Sequence, residues 1–195
     1  MVGITKKSFQ NRSDLTDGEK EAIRCYRDLE YPQNTWNMKT SSRKQKDCDV
    51  INGCLRNHVL EDSLNESDKK MYHSLVRRLT KAINKSRIKE RSYIFKGLHD
   101  FKELSKFEPG AIVTDLGFNS FSESVNIAKE YAGKNKNGEF IFFMLFINKE
   151  CNALYVDRKE KEWILQRGMT YHVYGVEHVN NKTFGKAIIY HLELI

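Results

Sequence analysis

The segment Met71–Leu98, MYHSLVRRLTKAINKSRIKERSYIFKGL, holds the point at which the chain changes its hydrophobic period. Within Ser67–Ser86, the residues Met71, Leu75, Val76, Leu79, Ala82 and Ile83 recur at helical spacing and predict one apolar stripe. After Arg91 that spacing is lost. SYIFKGL is short and rich in β-branched and aromatic side chains, the pattern of a strand.

The same division runs through the rest of the chain. Upstream, LTDGEKEAIRCYRDL (Leu15–Leu29) opens with Thr16 and Glu19 in capping-box spacing and carries Ala22, Ile23, Tyr26 and Leu29 on one helical face. YPQNTWNMKTSSRKQK reads as a loop, and Asp49–Leu60 returns to a helical pattern through Val50, Ile51, Cys54, Leu55 and Val59. Downstream, GAIVTD, GFNSFS, EFIFFMLFI, ALYV, EWILQ, TYHVYGV and KAIIYHLEL read as strands, interrupted by a helix at Ser124–Tyr131. Helices first and strands afterwards predict an α+β fold, with the helical half packed on mixed or antiparallel strands. The expectation is one domain over 1–195, helical over about 1–90 and strand-rich over 91–195.

Composition narrows the partners. The 195 residues are 39% hydrophobic and 30% charged, which suits a folded chain with a real core. Lysine and arginine number 33 against 26 acidic residues, a net charge of +7. Much of that excess lies in SSRKQKD, NKSRIKERS and GKNKNG, which read as loops and helix ends, and no arginine stripe alternates with aromatics. Nucleic acid is therefore not the expected partner. The four cysteines lack CxxC spacing and read as small core residues, and the six histidines show no ligand spacing, so no metal is expected. MVGITKKSFQNRS lacks the apolar core of a signal peptide, and no long apolar run follows. The expectation is a monomer without a membrane partner, either cytoplasmic or delivered into a host cell without a cleaved signal.

Three segments of the strand-rich half carry chemistry-bearing residues. In YIFKGL, Lys96 ends an apolar strand and Gly97 follows at once. In TDLGFNSFSES, Ser120 and Ser122 alternate with the aromatics and lead into a helix; two serines at i and i+2 share a strand face, so one can orient an acid while the other caps the helix. In RKEKEWILQRG, Glu160 and Glu162 stand at i and i+2 as an apolar strand begins. On an extended backbone they would point the same way, a pair a fold avoids burying unless it uses both.

Taken in order, these segments resemble the mono-ADP-ribosyltransferases of the arginine-serine-glutamate class, which include bacterial exoenzyme toxins and small transferases delivered by phages. GAIVTDLGFNSFSESVNIAKEYA resembles the family's serine motif with its following helix, and EKEWILQRGMTYHV its glutamate motif and return strand. INGCLR (Ile51–Arg56) resembles the family's asparagine-x-x-leucine-arginine helix, and LVRRLTKAINKS the helix before its first catalytic strand. The likeness spans Leu15 to the C-terminus.

The resemblance implies a two-sheet core and cleavage of the nicotinamide–ribose bond of NAD, with ADP-ribose passed to a protein acceptor. By position Glu162 would stabilise the oxocarbenium-like ribose, as a carboxylate does in glycoside hydrolysis, and Glu160 would hold and deprotonate an acceptor arginine. Ser120 would orient Glu162. Lys96, Gly97, Ser120, Ser122, Phe118, Phe121, Asn52 and Arg56 would contact NAD, with Tyr93 a further stacking candidate. Two departures stand out. The family's arginine before the glycine is here Lys96, which keeps the charge and loses the bidentate fork, so weaker NAD affinity is expected. The middle of the family's serine-threonine-serine is Phe121, which alternation turns to the opposite face. Two alternatives share these residues: an NAD glycohydrolase, with water as acceptor, and an inactive binding module on the same fold.

Overall fold

The structure, a computed structural model, describes residues 8–27, 47–99 and 104–195. The predicted loop over 31–46 lies outside them. Among the described residues four α-helices come first: α1 (Asp17–Arg27), α2 (Asp47–Arg56), α3 (His58–Asp62) and α4 (Glu66–Asn84). The capping box forms as its spacing predicts, with the Thr16 amide donating to Glu19 at 2.7 Å and the Glu19 amide to the Thr16 hydroxyl at 3.3 Å. The single helix expected over 49–60 is instead two. Asn57 takes an extended backbone, and its side chain accepts the Val59 amide at 3.0 Å, which ends α2 and caps α3.

Among the described residues nine strands and one α-helix follow: β1 (Arg87–Ile88), β2 (Ser92–Gly97), β3 (Ile112–Asp115), β4 (Asn119–Ser122), α5 (Val125–Glu130), β5 (Phe140–Ile147), β6 (Cys151–Asp157), β7 (Glu162–Leu165), β8 (Met169–Asn181) and β9 (Gly185–Leu194). Their hydrogen-bonded order is β1-β6-β7-β4-β2-β5-β9-β8-β3. The pairings are antiparallel except β5 with β9, which makes the assembly mixed. The order is continuous, yet its middle joint, β2 to β4, rests on the one register pair Phe95↔Ser122.

Strand alternation shows why that joint is thin. Leu154 and Val156 of β6, Ile164 of β7 and Phe118 beside β4 pack against Ile23, Tyr26, Ile51, Leu79 and Ile83 of the helices. The neighbours Tyr155, Trp163, Leu165 and Phe121 turn to the other face and meet Ile94, Leu145, Val173 and Leu192 from β2, β5, β8 and β9. Thus β1-β6-β7-β4 forms a middle layer, between the helices on one side and the second strand group on the other. This is the expected α+β fold with two strand layers. On the far side of the second group, α5 packs Ala128 against Phe142 and Ala187. Gly97 permits this, because a Cβ there would stand 2.1 Å from the Ala128 carbonyl oxygen. Among the described residues, no helix is long and apolar enough to cross a membrane.

Candidate active site

Between β6 and β7 the chain turns through Asp157–Lys161, and several bonds fix its shape. One Asp157 carboxylate oxygen accepts the amides of Lys159 at 2.6 Å and Glu160 at 2.9 Å. Lys161 adopts φ 49°, the left-handed region. The Ser122 hydroxyl donates to the Glu160 carbonyl at 2.6 Å while accepting the Ser124 amide at 3.0 Å, and the Glu123 amide donates to the Lys161 carbonyl at 3.1 Å. Glu160 therefore stands on a turn and Glu162 opens β7. The sequence expectation of two glutamates on one extended backbone is corrected here: the left-handed Lys161, not strand alternation, brings the two carboxylates together.

What joins them is a guanidinium. Arg27, at the C-terminal end of α1, donates from Nε to Glu162 at 2.7 Å and from Nη2 to Glu160 at 3.2 Å, with Asp157 3.3 Å from the same nitrogen. Its side chain is 6% exposed, that of Glu162 13% and that of Glu160 38%. Burial pushes the Glu162 carboxyl above its ordinary value, while the Arg27 charge and a hydrogen bond from the Ser120 hydroxyl pull the other way. Burial opposes the Arg27 charge, but the carboxylates of Glu162, Asp157 and Glu160 outweigh it and hold the guanidinium more firmly protonated than usual. Tyr131, following α5, donates its hydroxyl to the second Glu160 oxygen at 2.9 Å, and its own pKa is raised to about 12 by burial and by that bond. Three carboxylates against one guanidinium leave this end of the site anionic.

A second network adjoins the first along β4 and α1. Tyr26, one residue before Arg27, donates to the Phe118 carbonyl at 3.1 Å and accepts from Asn52 at 3.0 Å; Asn52 in turn accepts the Phe118 amide at 2.9 Å. Arg56, one helical turn further along α2, forks onto Asp115 with bonds of 2.7 and 2.8 Å. Asn119 links the rest, donating to Asp115 at 2.9 Å and accepting from Lys96 Nζ at 2.7 Å. Burial, then the nearby Arg56, pushes the Lys96 ammonium down to about 8, against the pull of Asp115. Two cations against one carboxylate make this end basic.

A model of the family described as ADP-ribosyltransferase exoenzyme matches residues 5–194. The chain belongs to the ADP-ribosyltransferase exoenzyme family. No curated protein matches it. Among solved structures, Plx2a, an ADP-ribosyltransferase toxin from Paenibacillus larvae, is 17% identical, with 93% of this chain and 87% of that one covered at a TM-score of 0.63. The C3 exoenzyme of Clostridium limosum is also 17% identical, with 93% and 87% covered at 0.62. The Vis ADP-ribosyltransferase of Vibrio splendidus, solved in complex with agmatine, is 18% identical, with 95% and 77% covered at 0.62. These likenesses show the ADP-ribosyltransferase fold. ADP-ribosyltransferases use NAD as substrate.

In this member of the ADP-ribosyltransferase exoenzyme family the residues expected at the site fall into three groups. Glu160, Glu162 and Ser120 stand together. Asn52, Arg56 and Lys96 form the adjoining network, with Asn52 also serving to pin the chain before β4. The rest are engaged within the fold itself, Phe121 on the opposite face as alternation predicts. Phe118 and Phe121 are core side chains, 0% and 2% exposed, and offer no open ring face. Gly97 is turned to α5, and Ser122 to the Glu160 turn. Tyr93 is half exposed but stacks on Phe146 at 4.9 Å between centroids. Arg27, Asp157 and Tyr131 were not anticipated. An arginine one residue past the apolar face of a helix carries no local signal, because its importance comes from a turn 130 residues later.

Proposed function

We propose that this chain is a mono-ADP-ribosyltransferase that breaks the nicotinamide–ribose bond of NAD and transfers ADP-ribose to an arginine of a protein. The observation that carries this reading is the Glu160–Glu162 pair: two carboxylates with different burial, one touched by Ser120 and one by Tyr131, both within hydrogen-bond reach of a guanidinium. The division of charge supports it as well. The basic Lys96–Arg56 end suits the NAD diphosphate, and the anionic end suits a ribose that turns cationic and an acceptor that is a cation.

In the proposed reaction the ribose C1–nitrogen bond breaks and nicotinamide leaves with the electron pair. Glu162, whose burial is opposed in part by Arg27 and Ser120, accepts a hydrogen bond from a ribose hydroxyl as a carboxylate and stabilises the oxocarbenium-like centre. The acceptor guanidinium is held by Glu160; one of its nitrogens bonds to C1 and its proton passes to Glu160. That Vis was solved with agmatine, a small guanidine, favours a guanidine-accepting site. The test is incubation with labelled NAD and either agmatine or a cell lysate, with Glu162→Gln as control. Labelled agmatine or protein that disappears in the variant supports the reading. Free ADP-ribose alone would make the enzyme a glycohydrolase, and an NAD pool left intact would make it a binding module.

A further inference from the structure

The second strand group has two faces, and α5 covers only part of the outer one. Ile94, Leu145 and Leu192 turn inward to the middle layer, as does Lys96, whose Nζ lies 5.8 Å from the centre of the Phe121 ring. Alternation sends their neighbours outward. In register, one outward row runs Tyr93, Phe146, Glu193, His172 and Ile112 across β2, β5, β9, β8 and β3. Tyr174 joins this face where the β8–β9 register shifts between Val173 and Gly175, with its ring 5.5 Å from that of His191. The core does not need these side chains: Tyr93 is 48% exposed, Tyr174 45% and Ile112 67%. The middle of the row has a definite chemistry. Tyr93 stacks on Phe146 with 29° between the ring planes, and beside Phe146 the Glu193 carboxylate accepts from the Asn148 amide at 2.6 Å. The Tyr174 hydroxyl approaches from the other side, and burial first, then the charges of Tyr93 and Glu193, raises its pKa. Two tyrosines thus flank a phenylalanine and a carboxylate, with Glu177 paired to His191 at 3.2 Å nearby.

We propose that this open sheet face, built around Tyr93, Phe146, Tyr174 and Glu193, is a docking site for an arginine side chain on an extended, basic segment of a partner protein. Charge selects the partner. The chain carries a net +7, yet no lysine or arginine occupies any of these register positions, and the carboxylates of Glu193 and Glu177 stand among the rings. A ring face attracts a cation, and a planar, weakly hydrated guanidinium can stack on tyrosine while its N–H groups reach a carboxylate. Tyr93 and Tyr174 supply the rings and Glu193 the counter-charge. Five strands span about 19 Å at ~4.8 Å spacing, the length of about six extended residues, and Ile112 at the end of the row offers apolar surface to the flanking side chains. Because Lys96 points to the opposite face of β2, the docking site is separate from the proposed NAD cleft, and it binds whether or not NAD is turned over.

The test is a titration of the isotope-labelled full chain, without NAD, followed residue by residue by nuclear magnetic resonance at low salt. The probe is an acetylated, amidated pentapeptide of glycine with a central arginine; its counterparts carry lysine or citrulline, the latter keeping the shape of arginine without its charge. The arginine peptide should give saturating shifts at Tyr93, Phe146, Tyr174 and Glu193. The lysine peptide should bind more weakly and the citrulline peptide should not saturate over the same range. Tyr174→Leu and Glu193→Gln should each weaken the arginine peptide by about 2–5-fold, the scale of a cation–π contact at an exposed site. Any shifts at Glu160 and Glu162 should keep their wild-type midpoint in both variants. Shifts confined to Glu160 and Glu162, or none at all, would overturn the proposal. So would equal binding of the citrulline or lysine peptide, or wild-type affinity in both variants.

Discussion

At Glu162 two opposed effects meet: burial raises the pKa of its carboxyl, and Arg27 and Ser120 offset part of that rise. The folded-state pKa stays above the ordinary carboxylate value. The free energy of ionising Glu162 within the fold therefore counts against stability once pH rises through that pKa, and is absent below the unfolded value. Glu162→Gln should leave the chain no less stable near neutral pH, since Asp157 and Glu160 remain to pair with Arg27. Turnover of NAD should nevertheless fall by about 10²–10³-fold, the scale of losing one group aimed at transition-state charge. In the wild type, the acidic limb of a pH–rate profile should lie above the ordinary glutamate range; a limb near the unperturbed value would show that Glu162 is not the group whose ionisation limits the rate. Tyr131 allows the two glutamates to be separated. Removing its hydroxyl with Tyr131→Phe takes away a bond to Glu160 and none to Glu162. Transfer to agmatine should drop several-fold while NAD hydrolysis without acceptor stays near wild type, and a parallel loss of both would contradict the separate tasks.

Among the elements, those with a dense local code were legible in advance. The Thr16–Glu19 box starts α1, the apolar stripe from Met71 to Ile83 lies within α4, and the aromatic-rich runs become β2, β5 and β9. Elements set by one side chain's hydrogen bond were not: Asn57 breaks α2 from α3, and the two-residue β1 exists because Arg87 and Ile88 pair with Asn152 and Cys151. Gly97 shows the same limit at the junction of two elements. Its place after Lys96 invites a role at the ligand, whereas its missing side chain admits the backbone of α5. Gly97→Ala would force a methyl group onto the Ala128 carbonyl and the Ala132 amide, and neither is the movable end of a side chain. A destabilisation of about 1–3 kcal/mol is expected from overpacking, read as a shift in denaturant midpoint with an unchanged slope. Because α5 leads to Tyr131, a shift of that helix should also weaken transfer; full stability in Gly97→Ala would mean that α5 yields more easily than its packing implies.

For the whole molecule, the fold class was readable from one change of period near residue 91, and the proposed roles of Glu160, Glu162 and Ser120 start from short motifs. Arg27 was not readable, because its partners come from the opposite end of the chain and only the folded layers bring them together. That dependence has a consequence for stability. The helices and the β6-β7-β4 layer share one apolar cluster, in which Phe9, Ile23, Tyr26, Leu79 and Ile83 contact Leu154, Val156, Phe118 and Ile164. Neither part keeps a closed core when parted from the other, so the 195-residue chain should unfold in a single cooperative transition, with coincident curves from helical and aromatic signals. A chain beginning at residue 47 would lack α1 and the buried Phe9 and Leu15, leaving Leu154, Val156 and Ile164 partly uncovered. It would also leave Asp157, Glu160 and Glu162 without the cation that separates them, and a buried carboxylate stripped of its partner is strongly destabilising. That shortened chain should show no cooperative melt and no near-ultraviolet aromatic signal at neutral pH. Acid should restore part of its compactness by protonating the three carboxylates, whereas a sharp, pH-independent melt would mean that the strand layers hold together without α1 and that Arg27 reaches the glutamates as a guest on a scaffold already formed.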